Sequence, residues 1–147
     1  CRACPPIGVE VDAGFSRIEP ARVARGSPPC PATRIDAKFA ALKAEGFGVL
    51  TEIDIQATMK KKLDKDYKPF LILGACNPVY ADKVLTIDPH ISTLLPCNVT
   101  LRELSNGDIE ISAVDPVAAM GSLGDSTIGP LAFDVQQKLE RVIDKVV

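Results

Sequence analysis

The chain has 147 residues, the length of one ordinary domain, which buries about two-thirds of its unfolded surface and forms a core without metal or disulfide bonds. Hydrophobic residues make up 46% and charged residues 24% of the sequence, proportions that exclude a disordered chain. The net charge is -2, the basic residues are scattered, and no apolar stretch approaches the roughly 20 residues that cross a bilayer, so we expect no nucleic-acid partner and no membrane partner.

The first 33 residues differ in composition from the rest of the chain. They contain six of the twelve prolines and three of the five cysteines. Within this segment, residues 7–12 alternate apolar with small or polar side chains, which predicts a possible first strand. Residues 15–24 are predicted to form a helical turn or two, interrupted at Pro20. We therefore expect an atypical Pro- and Cys-rich segment at residues 1–33, followed by a single α+β domain at residues 34–147.

Regular patterns begin with apolar residues at helical spacing that end at Gly46, which predicts an amphipathic helix over residues 33–46. Residues 47–55 then alternate apolar and polar side chains, a pattern typical of a half-buried strand. A short helix is predicted at residues 57–63, where a run of lysines lies.

The second half of the chain begins with an apolar run at residues 69–76 that predicts a strand. Asn77 then caps a helix that Pro78 opens at its first position. Residues 92–104 and 109–114 are two more predicted strands, and the Asn-Gly between them is typical of a hairpin turn.

The last predicted element is an amphipathic helix at residues 130–147. Its apolar stripe consists of Leu131, Val135, Leu139, Val142 and Val146. Helices separate some strands and a hairpin joins others, so the order of elements predicts an α+β fold, with a mainly antiparallel sheet and helices packed on one face.

Three segments carry a resemblance to a known family: EGFGVLTEIDIQATMKKKL at residues 45–63, LGACNP at 73–78 and LLPCNV at 94–99. In this order and spacing the chain resembles the bacterial domain-of-unknown-function family 302. The resemblance implies a twisted antiparallel sheet packed against helices, similar to the TATA-binding-protein-like fold, and a homodimer. The resemblance leaves the activity and the cofactor unknown, because the family has no assigned reaction.

The N-terminal third departs from the pattern of this family. The resemblance implies a first strand about twenty residues before the Gly-Phe-Gly sequence. The strand predicted at residues 7–12 lies more than thirty residues before Gly46, with four prolines between them. The N-terminal stretch is therefore either an insertion or not native family sequence.

Two Cys-Asn pairs form the candidate site. Each cysteine falls at or near a strand end, so neighbouring strands would bring two thiols and two amides to one pocket. Thiolates bind soft metals or act as nucleophiles, and the start of a helix beside Cys76 is expected to lower the pKa of its thiol. The predicted ligand-binding residues are Cys76, Asn77, Cys97 and Asn98, and the predicted metal ligands are Cys76 and Cys97. The alternative is structural, because free cysteines often pack as small hydrophobic residues and Asn77 is accounted for by capping.

Other titratable groups give weaker signals. His90 is the one histidine, and we expect it in an exposed loop because no partner at a catalytic spacing accompanies it. Glu52 and Asp54 lie on one face of a predicted strand, and we expect the lysines at residues 60–62 to provide a solvated counter-charge for them.

These features favour a small cytoplasmic homodimeric binding module for a metal ion or a small ligand. The cytoplasmic location follows from the odd number of cysteines, five, which cannot all form intramolecular disulfides. A thiol-dependent redox or transfer enzyme that uses Cys76 is the second hypothesis, and a structural or assembly subunit without pocket chemistry is the third. Clustered, accessible thiols would support the first two hypotheses, and scattered buried thiols would support the third.

Overall fold

The structure is a computed structural model that describes residues 21–26, 39–121 and 125–146. Its centre is a five-stranded antiparallel sheet with the strand order β1-β5-β4-β3-β2. The strands are β1 (Ala21–Gly26), β2 (Gly48–Asp54), β3 (Phe70–Cys76), β4 (Cys97–Glu103) and β5 (Ile109–Val114). The predicted α+β class with an antiparallel sheet is therefore confirmed.

In the described residues, five α-helices and a 3-10 helix before β4 connect and cover these strands. They are α1 (described over residues 39–44), α2 (Ile55–Leu63), α3 (Pro78–Ile87), the 3-10 helix (Pro89–Leu94), α4 (Pro116–Met120) and α5 (Ile128–Val146). No helix in the described parts of the chain is long and apolar enough to cross a membrane.

The main core lies between the sheet and α5. Across the central strands Leu73 pairs with Val99, and Val99 pairs with Ala113, so these side chains share one face of the sheet. The predicted apolar stripe of α5 packs on this face through Leu139 and Val142, each of which is 3% exposed. The amphipathic pattern therefore correctly predicted which face of α5 packs on the sheet.

Strand β1 lies inside the Pro- and Cys-rich segment. It pairs with β5 along its whole length, from Ala21 opposite Val114 to Gly26 opposite Ile109. The helical prediction is therefore wrong for residues 21–24, because pairing with β5 holds them extended. Gly26 lies about twenty residues before Gly46, which agrees with the spacing that the family resemblance implied. The strand predicted at residues 7–12 lies outside the described residues.

Two further predictions about strands are corrected. Strand β2 is not half-buried, because it forms an edge of the sheet and all its residues except Val49 are exposed. The strand predicted over residues 92–104 begins only at Cys97. Before it, Asp88 accepts a hydrogen bond from the backbone N–H of His90 and starts the 3-10 helix, and Pro96 has no N–H to give to a strand ladder.

Candidate functional site

The end of β3 and the start of β4 bring Cys76 and Cys97 to the same end of the sheet. Ala75 pairs with Cys97 across the two antiparallel strands, and Cys76 lies one residue beyond that pair. Both cysteines and Asn77 line one cavity of about 30 Å³. The remaining walls come from α3, α4, α5 and the residues just before β2 and β4. The end of the sheet and three helices therefore form this cavity.

Asn98, the fourth predicted site residue, does not line this cavity and is exposed. Successive side chains of a strand point to opposite faces of the sheet. Because Cys97 is buried on the face that carries the cavity, Asn98 lies on the other face, where it pairs with Gly74. The structure thus brings together three of the four predicted residues.

Burial controls the chemistry of both thiols, which are free. Burial raises the pKa of the Cys97 thiol to about 11, and the charge of a Cys76 thiolate would raise it as well. Burial also raises the pKa of Cys76, which is half-buried. The predicted lowering of the Cys76 pKa is wrong, because desolvation of the thiolate outweighs the start of α3. Both thiols are therefore protonated at neutral pH.

Asn77 is 9% exposed and its amide is used in two structural hydrogen bonds. Its Oδ1 accepts a hydrogen bond from the backbone N–H of Val79 at 3.2 Å, which caps α3 as the sequence predicted. Its Nδ2 donates to the backbone oxygen of Glu45 at 3.4 Å, in the turn before β2. Gly46 in that turn has φ 84°, and a Cβ there would lie 2.9 Å from the Asn77 Nδ2. Asn77 therefore holds the cavity wall in place.

Met120 is a lining residue that the sequence analysis missed. It is the last residue of α4, it is 8% exposed, and it borders the same cavity as Cys76 and Cys97. Its position follows from Asp115, whose carboxylate accepts hydrogen bonds from the backbone N–H groups of Val117 and Ala118 and so starts α4 directly after β5. The Asp-Pro sequence signals such a helix start, but no local pattern predicts that Met120 lines the cavity.

The other predicted groups lie away from the cavity. His90 is exposed, in the 3-10 helix. Asp54 caps α2 by accepting a hydrogen bond from the backbone N–H of Ala57. Lys60 forms ion pairs with Asp64 and Asp66, so this lysine does not pair with Glu52 or Asp54 as predicted. Among the described residues, no group of three or more His, Cys, Asp or Glu side chains could hold a metal ion.

Both the sequence and the fold of the chain match a known family. The sequence profile described as "Domain of unknown function DUF302" matches residues 32–146. The chain belongs to this family. A solved DUF302 relative, titled an uncharacterized conserved protein from Bacillus stearothermophilus, is 25% identical and superposes with a TM-score of 0.79 over 86% of this chain and 98% of that chain. No curated protein matches the chain. The family resemblance is thus confirmed, and it supplies a fold without an assigned activity.

Proposed function

We propose that this DUF302 domain is a binding module that holds one soft metal ion between the thiols of Cys76 and Cys97. The observation that carries the proposal is that Cys76 and Cys97 line the same small cavity. Its volume of about 30 Å³ suits an ion or a single water molecule, whereas pockets for drug-sized organic ligands occupy at least about 300 Å³. Two thiolates are ligands that select soft cations such as Cu(I).

The raised pKa values of the two thiols favour this role over thiol catalysis. A cysteine nucleophile needs a population of thiolate at neutral pH, and burial reduces that population at both Cys76 and Cys97. A soft metal ion can instead displace the thiol protons as it binds, so its affinity depends on pH. Burial among apolar walls also keeps water away from the bound ion.

Cu(I) titration tests the proposal directly, with a chromogenic Cu(I) chelator as competitor in the absence of oxygen. Because Cys1, Cys4 and Cys30 would add their own thiols, the reference protein is the full chain with these three cysteines changed to serine. We expect one tight Cu(I) site, weakened strongly by Cys76→Ala and by Cys97→Ala. Asn98→Ala is the matched control, because it changes an exposed neighbour on the other face. Equal Cu(I) affinity in all four proteins, or no binding in the reference, would refute the proposal.

We also propose that the protein is a cytoplasmic homodimer. Support for the dimer comes from the family resemblance and from the edge strand β2, where Leu50 is 66% and Ile53 is 46% exposed. An exposed edge with apolar side chains pairs with other chains unless something covers it. Support for the cytoplasm comes from the free thiols of Cys76 and Cys97, which a reducing compartment preserves.

A further inference from the structure

We infer that Met120 is a third sulfur ligand of this site and that its thioether makes the site selective for Cu(I) over Zn²⁺. This inference rests on the proposed function and specifies Cu(I) as the soft ion that the site binds. Thioether sulfur is a soft ligand that suits Cu(I), whereas zinc sites in proteins use Cys, His, Asp and Glu. Two cysteines and one methionine therefore form a donor set for a soft monovalent ion.

The position of Met120 gives this inference its geometric basis. Met120 lies at the end of α4 and lines the same cavity as Cys76 and Cys97. At a volume of about 30 Å³, the cavity has room for little more than one ion or one water molecule. The three residues come from β3, β4 and α4, so folding of the domain assembles the set.

Met120 also has room to adjust around an ion. It borders a second cavity, of about 270 Å³, whose other walls include Gly121, Gly129 and Ala132. A Cβ added at Gly121 or at Gly129 would meet no atom within 4 Å. A methionine side chain has three rotatable bonds and adapts to irregular space. We therefore expect the thioether to have room to adjust beside this second cavity.

A packing role for Met120 is the competing explanation. Met120 belongs to a small apolar cluster with Val84, Ile91, Ile128 and Ala132. A Met→Leu change nearly conserves volume and is among the core substitutions that folded proteins tolerate best. Pure packing therefore predicts that Met120→Leu folds and binds Cu(I) as the reference does.

The second methionine of the chain provides a matched control. The sequence has two methionines, and the other one, Met59, lies in α2 and does not line the cavity. Both Met→Leu variants are made in the full chain that retains only the Cys76 and Cys97 thiols. Each variant is titrated with Cu(I) and with Zn²⁺, and thermal unfolding without metal checks that both are folded.

The expected result is that Met120→Leu lowers Cu(I) affinity about tenfold and leaves Zn²⁺ affinity unchanged, while Met59→Leu changes neither. In selenomethionine-labelled protein, X-ray absorption at the copper edge should show a selenium neighbour in the reference and in Met59→Leu, and none in Met120→Leu. Cu(I) binding through both cysteines with unchanged affinity in Met120→Leu, or with no selenium neighbour, would overturn this inference and leave the proposed function standing. Absence of Cu(I) binding in the reference would overturn both.

Discussion

The carboxylate of Glu45 links the turn before β2 to the last helix, and its removal gives a prediction with a defined pH dependence. Its Oε1 accepts a hydrogen bond from the Lys145 Nζ at 2.8 Å, and its Oε2 accepts one from the Arg141 Nε at 3.1 Å. These two hydrogen bonds, together with the positive charges, lower the pKa of Glu45 to about 2. The backbone oxygen of the same residue accepts the hydrogen bond from Asn77, so the ion pairs and the cavity wall share one turn.

The expected cost of Glu45→Gln follows from the exposure of the partners. A hydrogen bond to a charged group contributes about 1.5–3 kcal/mol when it is shielded from water, and an exposed ion pair contributes about 0.2–1 kcal/mol. The Glu45 side chain is 10% exposed, but those of Arg141 and Lys145 are 49% and 50% exposed, which places each contact near the lower range. We expect Glu45→Gln to reduce the free energy of unfolding by about 1–2 kcal/mol at pH 7.

The pH dependence gives the sharper test. Because folding lowers the pKa of Glu45 from 4.5 to about 2, the unfolded chain binds more protons between these values. The stabilisation by Glu45 is thus complete above about pH 5, falls as the pH drops, and is absent below about pH 2. Urea unfolding from pH 7 to pH 2.5 should show the difference between wild type and Glu45→Gln shrink steadily. Glu52→Gln, on the exposed edge strand, is the control. A difference that stays constant with pH would refute the role of the charge.

Four other changes test the fold and the site. Leu139→Ala should cost about 2–5 kcal/mol in urea unfolding, since Leu139 is 3% exposed in the main core, and a loss below about 0.5 kcal/mol would show that the α5 stripe is not in the core. Gly74→Ala should cost about 1–3 kcal/mol in the same assay, because a Cβ there would lie 2.7 Å from the Pro96 Cγ, and wild-type stability would contradict this contact. Ile53→Lys should convert a dimer to a monomer in light scattering at tens of micromolar, and a monomeric wild type would remove the dimer proposal. Cu(I) affinity should rise with pH between pH 6 and 8, because both thiols must lose protons, and a pH-independent affinity in chelator competition would exclude thiolate ligation.

Local signals predicted some elements correctly. Helix α3 follows from the Asn77 cap and Pro78, and α5 follows from its apolar stripe. The hairpin between β4 and β5 follows from the Asn-Gly turn, in which Gly107 has φ 88°. Each of these patterns involves only residues that are close together in the chain. A single sequence is therefore enough to predict these elements.

The elements that were predicted wrongly depend on partners far away in the chain. Strand β1 is extended because β5 pairs with it, and the alternation in β2 does not reveal that the strand lies at the sheet edge. At the site, the strand ends predicted a common pocket for Cys76 and Cys97, and both residues line one cavity. Met120 joins them only through the packing of α4 against α5, and no local pattern encodes that contact.

Two properties decide between the three functional hypotheses: the protonation of the Cys76 and Cys97 thiols, and the volume of the cavity that these residues line. Catalysis by Cys76 would require a thiolate, which burial disfavours. A purely structural domain would gain stability by filling the cavity, because empty core volume costs about 24 cal/mol per Å³, or about 0.7 kcal/mol for the cavity of about 30 Å³ beside the thiols. Under the metal-binding proposal, a soft ion would both fill that space and replace the thiol protons. Acidification would then release the ion, and a neutral or alkaline pH would retain it.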